Sequence, residues 1–138
     1  MNDNTPVSNG KWTRKAHSVY TRAAAGLSRW LPIARIVVAE ASMQPSLRPG
    51  DRVLVNRWAR VQPGDIAVVR DPEFSRRLLV KRVAERTPVG FVVRGDDPNM
   101  SRDSRIFGPV ARRLVVGKVV WRYLPAERRG RIEARRLP

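Results

Sequence analysis

The feature that most constrains the fold of this chain is a series of short apolar runs divided by turn-forming residues. In chain order the runs are ARIVVAE, DRVLVNRW, DIAVVR, RRLLVKRVAER, FVVRG and RRLVVGKVVWRYL. Runs of this length, rich in Val, Ile and Leu and bounded by Pro and Gly turns, predict β-strands. We therefore expect a mostly β domain, built as a small barrel or a folded sheet.

Three local features refine this expectation. RRLLVKRVAER and FVVRG are separated only by TPVG, which predicts a hairpin with a tight connection. Gly117 interrupts the last run and predicts a bulge or bend. The stretch DDPNMSRDSRIFGPV has little periodicity, and a loop of that length in a compact domain is more often functional than idle.

The chain has 138 residues, which is enough for one domain, and we expect that domain to span residues 32–124. A basic N-terminal arm, residues 1–31, precedes it and is expected to be partly disordered, with a short helix as one option for residues 18–30. A basic tail, residues 125–138, follows the domain.

The best candidate for a membrane-spanning segment is residues 23–39, but it is interrupted. Arg29 and Arg35 lie within it and Pro32 breaks it. Arginine is costly at the centre of a membrane helix. We therefore expect a soluble, cytoplasmic protein. The alternative is a membrane-associated protein whose basic arm touches anionic lipid peripherally.

The net charge of +16 favours acidic partners, which include nucleic acid, anionic lipid and acidic substrates. The basic residues are nevertheless spread along the whole chain, without an aromatic-interleaved stripe, a zinc finger or a repeat. We therefore expect no specific nucleic-acid partner.

The residue types present narrow the chemistry. There is no cysteine, and the single histidine, His17, lies in a polar N-terminal stretch. This composition excludes a disulfide framework and a thiolate metal site, and it argues against a Ser-His-Asp triad or a His-rich metal site. We expect no cofactor. A serine nucleophile would need another base, and a lysine held neutral by burial can serve.

Lys81, within RRLLVKRVA, is a lysine embedded in an apolar strand. Strand alternation places it on the same face as Leu79 and Val83, whereas its neighbours Val80 and Arg82 face the other side. The alternative is an edge-strand lysine whose stem lies on apolar surface while its amine reaches water.

Ser42 follows the first predicted strand, at the point where the chain must turn. A nucleophile at such a turn is expected to be exposed, and its own backbone N–H can help to bind an oxyanion. The alternative is an ordinary turn serine.

Three segments together resemble the signal peptidase I family of Ser-Lys endopeptidases. SMQPSLRPGDRVLV resembles its nucleophile motif, VKRV its general-base motif, and RGDDPNMSRDSRIFGPV its third motif. The motifs occur in the family's order across residues 40–110, and weaker similarity continues to about residue 123. The resemblance implies the family's mostly β fold, a small signal-peptidase-like folded sheet or barrel, and it implies serine endopeptidase activity.

The resemblance also implies residue roles. Ser42 matches the nucleophile and Lys81 the general base, while Ser101 matches a serine whose hydroxyl orients the lysine amine. The supporting matches are the polar pair Asp103 and Arg105, expected to brace Arg82, and the turn-shaping residues Met43 and Pro45.

Two positions depart from the family pattern. Glu40 stands where many members have a small hydroxyl residue that donates to the oxyanion, and a carboxylate cannot donate unless protonated. Either another donor joins the Ser42 N–H, or Glu40 points away. Asp97 stands where Asn is common, in a loop position expected to lie outside the dyad.

The large inserted domain and the N-terminal anchors of many bacterial signal peptidases are not visible in this sequence. Size and spacing therefore resemble the nickel-type superoxide dismutase maturation proteases within the family. This resemblance implies a protein precursor with a cleavable N-terminal leader as substrate.

Three alternatives to that activity are open at this stage. One is a signal peptidase acting on exported preproteins at the membrane. Another is a self-cleaving DNA-binding repressor of the related Ser-Lys type, although the first 30 residues are too short and irregular for a helix-turn-helix. The third is a non-enzymatic binding module, which would be expected to lack Ser42 or Lys81.

Overall fold

The computed structural model describes residues 32–137, and in that range the chain forms a seven-stranded antiparallel sheet. The strands are β1 Ile33–Val37, β2 Arg52–Asn56, β3 Ile66–Arg70, β4 Leu78–Thr87, β5 Gly90–Arg94, β6 Val115–Leu124 and β7 Gly130–Arg131. Their order across the sheet is β1-β2-β6-β3-β4-β5, with β7 paired to β6. The prediction of a mostly β fold is therefore confirmed, and each of the six predicted strands is present.

Two hydrophobic clusters form the core, one on each face of the sheet, because successive residues of a strand point to opposite faces. In β3, Ile66 and Val68 join the first cluster, whereas Ala67 and Val69 join the second. Because both faces are covered there, four consecutive residues of β3 and five of β4 are buried. This arrangement allows a charged group on β3 or β4 to be removed from water.

The sequence predictions for the hairpin and for Gly117 are confirmed. Strands β4 and β5 pair around a turn that ends at Gly90. The pairing of β6 with β3 shifts register beside Gly117. A Cβ at this glycine would lie 2.6 Å from the carbonyl oxygen of Asn56, so the close approach of two strands requires glycine there.

The segment that was considered as a membrane span contains β1, and none of the helices within residues 32–137 is long and apolar enough to cross a membrane. The short helix considered for residues 18–30, and the arm as a whole, lie outside the described residues.

Residues 125–137 lie against the domain. β7 pairs with β6, and the amide of Arg135 donates to the carbonyl of Gly64 over 2.9 Å. Arg128 and Arg122 both form ion pairs with the fully buried carboxylate of Asp51. These contacts fasten the loop that leads from Ser42 to β2 onto the inner strand β6 and the segment that follows it.

Candidate active site

The turn that carries Ser42 is a single 3-10 turn, Ala41–Met43, which follows β1 and an extended Glu40. Met43 is buried in the first hydrophobic cluster and anchors this turn, and the Gln44–Pro45 peptide that ends it is cis. Ser42 itself is only 2% exposed. The expectation that the turn would expose this serine is wrong, because Met43 draws the turn into the core.

Lys81 lies in the interior of the sheet. Strand β4 is flanked by β3 and β5, Lys81 is paired with Ala67, and its side chain is 0% exposed. Its neighbours Leu79 and Val83 belong to the second cluster, as strand alternation predicts. The alternative of an edge-strand lysine that reaches water is therefore wrong.

Burial lowers the pKa of the Lys81 amine below its usual value, because the ammonium form loses its hydration. The carboxylates of Glu40 and Asp103 act in the opposite direction by stabilising the ammonium. The net shift is downward, so a larger fraction of this lysine is neutral near physiological pH than of a lysine in water.

The hydroxyl of Ser101 connects Lys81 to a carboxylate. Lys81 Nζ donates to Ser101 Oγ over 3.1 Å, and Ser101 Oγ donates to Asp103 Oδ2 over 2.7 Å. A serine hydroxyl has one hydrogen, and Ser101 uses it in the hydrogen bond that it donates to Asp103. The oxygen therefore faces Lys81 as an acceptor, which fixes one N–H of the amine and leaves its remaining positions for other partners.

Asp103 and Arg105 form a pair with each other and do not brace Arg82. Arg105 donates to both oxygens of Asp103, over 3.0 and 2.8 Å, and the amide of Gly95 donates over 3.0 Å. Burial by itself raises the pKa of Asp103, but these hydrogen bonds outweigh it and hold that pKa well below its usual range. Asp103 therefore stays ionised and holds Ser101.

Arg82 is braced instead by Asp96, a residue that the sequence did not single out. Its guanidinium donates to both carboxylate oxygens over 2.7 Å and to the carbonyl of Gly64 over 2.8 Å. Ser46 completes the group, because it accepts from Arg82 over 3.1 Å and donates to Asp96 over 2.5 Å. The segments that carry Ser42, Lys81 and Ser101 are thus joined by one buried network.

Gly95 and Asp97 place the nucleophile turn beside Ser101. The amide of Asp97 donates to the carbonyl of Ser42 over 2.9 Å, so this position touches the nucleophile's backbone rather than lying apart from it. A Cβ on Gly95 would lie 2.3 Å from Ser101 Oγ and 2.7 Å from the Ser42 carbonyl oxygen. Glycine at position 95 therefore leaves the space that the Ser101 side chain and the Ser42 carbonyl occupy.

Arg102 fastens the Ser101 loop from outside. It forms ion pairs with the buried Asp71 and with Glu73 in the loop between β3 and β4. Its guanidinium also lies 5.4 Å from the ring centroid of Phe74 and 5.1 Å from that of Phe107. Such stacked and paired contacts limit the movement of residues 101 and 103 on either side.

The turn carrying Ser42 packs against β4 and against the 3-10 turn Pro98–Met100 that precedes Ser101, so the segments that carry Ser42, Lys81 and Ser101 adjoin one another. The sequence predictions missed Gly95, Asp96 and Ser46 as site residues. Gly95 and Asp96 stand within the quoted third motif and Ser46 within the first, so the signal was present without a role attached.

Comparison with known proteins identifies similar sequences. The family described as "Signal peptidase, peptidase S26" matches residues 12–86. A mitochondrial inner membrane protease subunit 2 from Schizosaccharomyces pombe is 31% identical, over 84% of this chain and 83% of its own length. A mitochondrial ATP-independent inner membrane protease subunit 1b from Arabidopsis thaliana is 34% identical, over 61% of this chain and 66% of its own length. The human mitochondrial inner membrane protease subunit 1 is 25% identical, over 65% and 69% respectively.

These relatives bear on two expectations. A cytoplasmic location is wrong, because the similar proteins are subunits of proteases of an inner membrane. They also give no support to the resemblance to nickel-type superoxide dismutase maturation proteases. The signal peptidase alternative agrees with them better.

Proposed function

The chain belongs to the signal peptidase family and is a serine-type peptidase, and from this premise we propose that it removes N-terminal leaders from precursor proteins at a membrane surface with a Ser42–Lys81 dyad. The observation that carries the dyad is the fully buried Lys81, held by Ser101 in the same site as the Ser42 turn. Signal peptidases act on precursors with leader sequences, which supplies the substrate class.

In the proposed first step, neutral Lys81 accepts the proton of Ser42 Oγ as that oxygen attacks the scissile carbonyl carbon. A C–O bond forms and the carbonyl oxygen becomes an oxyanion. The protonated Lys81 then gives its proton to the leaving amine as the peptide C–N bond breaks. The products of this step are an acyl ester on Ser42 and the mature chain with its new N-terminus.

In the second step, the again neutral Lys81 takes a proton from a water molecule that attacks the ester. The C–O bond to Ser42 breaks, and Ser42 regains its proton from Lys81. Ser101 keeps the amine in one orientation through both steps, because its oxygen accepts from Nζ whether the lysine is charged or neutral.

The backbone N–H of Ser42 is the proposed donor to the oxyanion. Glu40 does not replace the hydroxyl donor that many family members have, because a carboxylate has no hydrogen to donate. Its proposed effect is electrostatic instead, since its charge raises the pKa of Lys81.

The proposed location and substrate class are inferred from the similar proteins. Inner membrane proteases share between a quarter and about a third of their aligned residues with this chain, so a membrane-associated protein that cleaves exported or imported precursors is the favoured hypothesis. A self-cleaving repressor is less favoured, because these relatives are proteases of a membrane.

The test uses purified full-length protein and a precursor protein that carries a leader. Ser42→Ala and Lys81→Ala should each abolish cleavage, and the double variant should be little worse because the two residues act as a unit. Lys118→Ala is the matched control, since Lys118 pairs with the same residue, Ala67, from the other side but is 31% exposed. Near-wild-type cleavage by either dyad variant would overturn the assignment.

Substrates are identified by comparing protein N-termini in cells with and without the chain. Uncleaved leaders should accumulate on proteins of a membrane or of the compartment beyond it. Accumulation only of a cytoplasmic metalloenzyme precursor would contradict the proposed location.

A further inference from the structure

A basic groove lies apart from the dyad, between the loop after β2, the β4–β5 hairpin and the start of β6. Its rim carries Arg57, Arg60, Arg86 and Arg112, and its floor includes Val61 and Phe91. The groove has a volume of about 310 Å³, and none of the acidic residues within the described range lines it. None of the proposed catalytic or supporting residues contributes to it.

The loop beside the groove is a built turn that presents Trp58 to solvent. The side-chain oxygen of Asn56 accepts hydrogen bonds from the amides of Trp58 and Ala59, over 3.0 and 3.1 Å. Gly117 allows β6 to lie close to this turn, since a Cβ at residue 117 would lie 2.9 Å from the Cα of Arg57. The turn is thus held from both sides, while Trp58 is 77% exposed.

A second apolar side chain projects from the hairpin that supplies Arg86 and Phe91. Val89, in the turn between β4 and β5, is 70% exposed. Trp58 and Val89 thus lie on two chain segments that also supply arginines to the rim of the groove, so exposed apolar side chains accompany its cationic residues. Water is a poor partner for such exposed apolar groups.

We propose that the groove together with the neighbouring Trp58 and Val89, here called the Trp58 groove, docks the protease onto a bilayer that contains anionic phospholipids. Arginines pair well with phosphate, because the guanidinium fork matches its oxygens. Tryptophan favours the headgroup level of a bilayer, where its ring is partly in apolar surroundings. The inference rests on the membrane location in the proposed function.

Nucleic acid is the competing occupant, because arginine and tryptophan also bind phosphates and bases. Val89 has no ring to stack on a base, but its side chain can enter the apolar part of a bilayer. The chemistry of the whole surface therefore favours lipid.

The experiment measures partition of the full-length protein onto phosphatidylcholine vesicles with and without phosphatidylglycerol. The triple variant Arg60→Gln, Arg86→Gln, Arg112→Gln should lose at least about tenfold in partition onto the anionic vesicles, because each basic residue near such a surface contributes severalfold. Trp58→Ala should lose about threefold or more on the same vesicles. The matched control is Arg52→Gln, Arg131→Gln, Arg136→Gln, which removes the same charge from exposed positions outside the groove.

An equal loss in both triple variants would overturn the proposal, since binding would then follow net charge alone. It would equally be overturned if the groove variants kept full vesicle binding but lost affinity for a single-stranded oligonucleotide. Cleavage of a soluble peptide should be unchanged in the groove variants. Loss of vesicle binding with normal peptide cleavage in the groove variants would support this proposal. Normal vesicle binding with lost peptide cleavage would overturn it, so its failure can be told apart from a failure of the proposed protease activity.

Discussion

Arg82 donates two hydrogen bonds of 2.7 Å to the carboxylate of Asp96, and both side chains are almost fully buried. Arg82 follows Lys81 directly on β4, and Asp96 follows Gly95 directly after β5. The ion pair therefore fixes, from the opposite face of the strand, the two segments that position the lysine amine and the Ser101 loop.

Asp96→Asn is expected to destabilise the fold. Removing one charge of a buried pair leaves the other uncompensated, which costs about 3 kcal/mol or more. Urea unfolding measures the free energy of unfolding. The control is Glu73→Gln, whose carboxylate also pairs with an arginine but is 52% exposed, and exposed pairs contribute about 1 kcal/mol or less. Similar small losses in both variants would show that the buried pair has no special weight.

Peptide cleavage should increase with pH, because only neutral Lys81 can accept the Ser42 proton and its lowered pKa sets the ascending limb. Glu40→Gln should shift that limb to lower pH, because removing a nearby negative charge destabilises the ammonium. The measurement is kcat/KM against pH. Glu127→Gln, an exposed carboxylate in the C-terminal segment, should leave the limb in place, and an unmoved limb in Glu40→Gln would contradict the electrostatic role.

Lys81→Met should abolish cleavage and yet stabilise the protein at neutral pH. The folded state lowers the pKa of Lys81 from 10.5, so the unfolded chain binds more protons and the buried amine opposes folding below that value. The stability gained from Met should shrink as pH approaches about 10.5, where the unfolded amine also loses its proton. Thermal unfolding of wild type, Lys81→Met and Lys118→Met across pH measures this. A pH-independent difference would contradict the shift.

The strands and the grouping of Ser42, Lys81 and Ser101 could be predicted from sequence for different reasons. Alternating apolar residues define a strand locally, and so the face of Lys81 followed from Leu79 and Val83 alone. The grouping came from three motifs in a known order, since residues 42, 81 and 101 are too far apart in sequence for any local rule.

The bracing partner of Arg82 could not be predicted in this way. Asp96 and Asp103 are both acidic residues of one loop, and sequence gives no measure of which carboxylate reaches β4. The choice depends on the path of the chain after β5, where Ser46 adds a third contact from 50 residues away. The burial of Ser42 likewise depends on how Met43 packs against distant strands.

Ser101→Ala should lower kcat by about tenfold with little change in KM, because one hydrogen bond that orients Lys81 is worth about 1 kcal/mol or slightly more. The control is Ser104→Ala. Ser104 Oγ accepts a hydrogen bond from the amide of Val93, and among the described residues it forms no hydrogen bond with Lys81. Steady-state kinetics of the two variants provide the test. If both changed kcat equally, Ser101 would be only a structural part of the loop.

Gly95→Ala should abolish cleavage, because the added methyl group has no room. Its Cβ would lie 2.3 Å from Ser101 Oγ and 2.7 Å from the carbonyl oxygen of Ser42, and such contacts require one of the two to move. The serine side chain can rotate, but displacing the Ser42 carbonyl shifts the nucleophile turn, and a misplacement of about 1 Å can cost about a hundredfold in rate. In the control Gly130→Ala, the added Cβ meets no atom of residues 32–137 within 4 Å, and cleavage should be unchanged.

A loss of folding in Gly95→Ala would be separated from a loss of catalysis by adding Ser101→Gly. The double variant removes the contacts with the Ser101 side chain and should recover stability in urea unfolding. The contact with the Ser42 carbonyl persists, so cleavage should stay at least about a hundredfold below that of Ser101→Gly alone. Cleavage by the double variant equal to that of Ser101→Gly would show that Gly95 makes room for Ser101 only and does not set the position of Ser42.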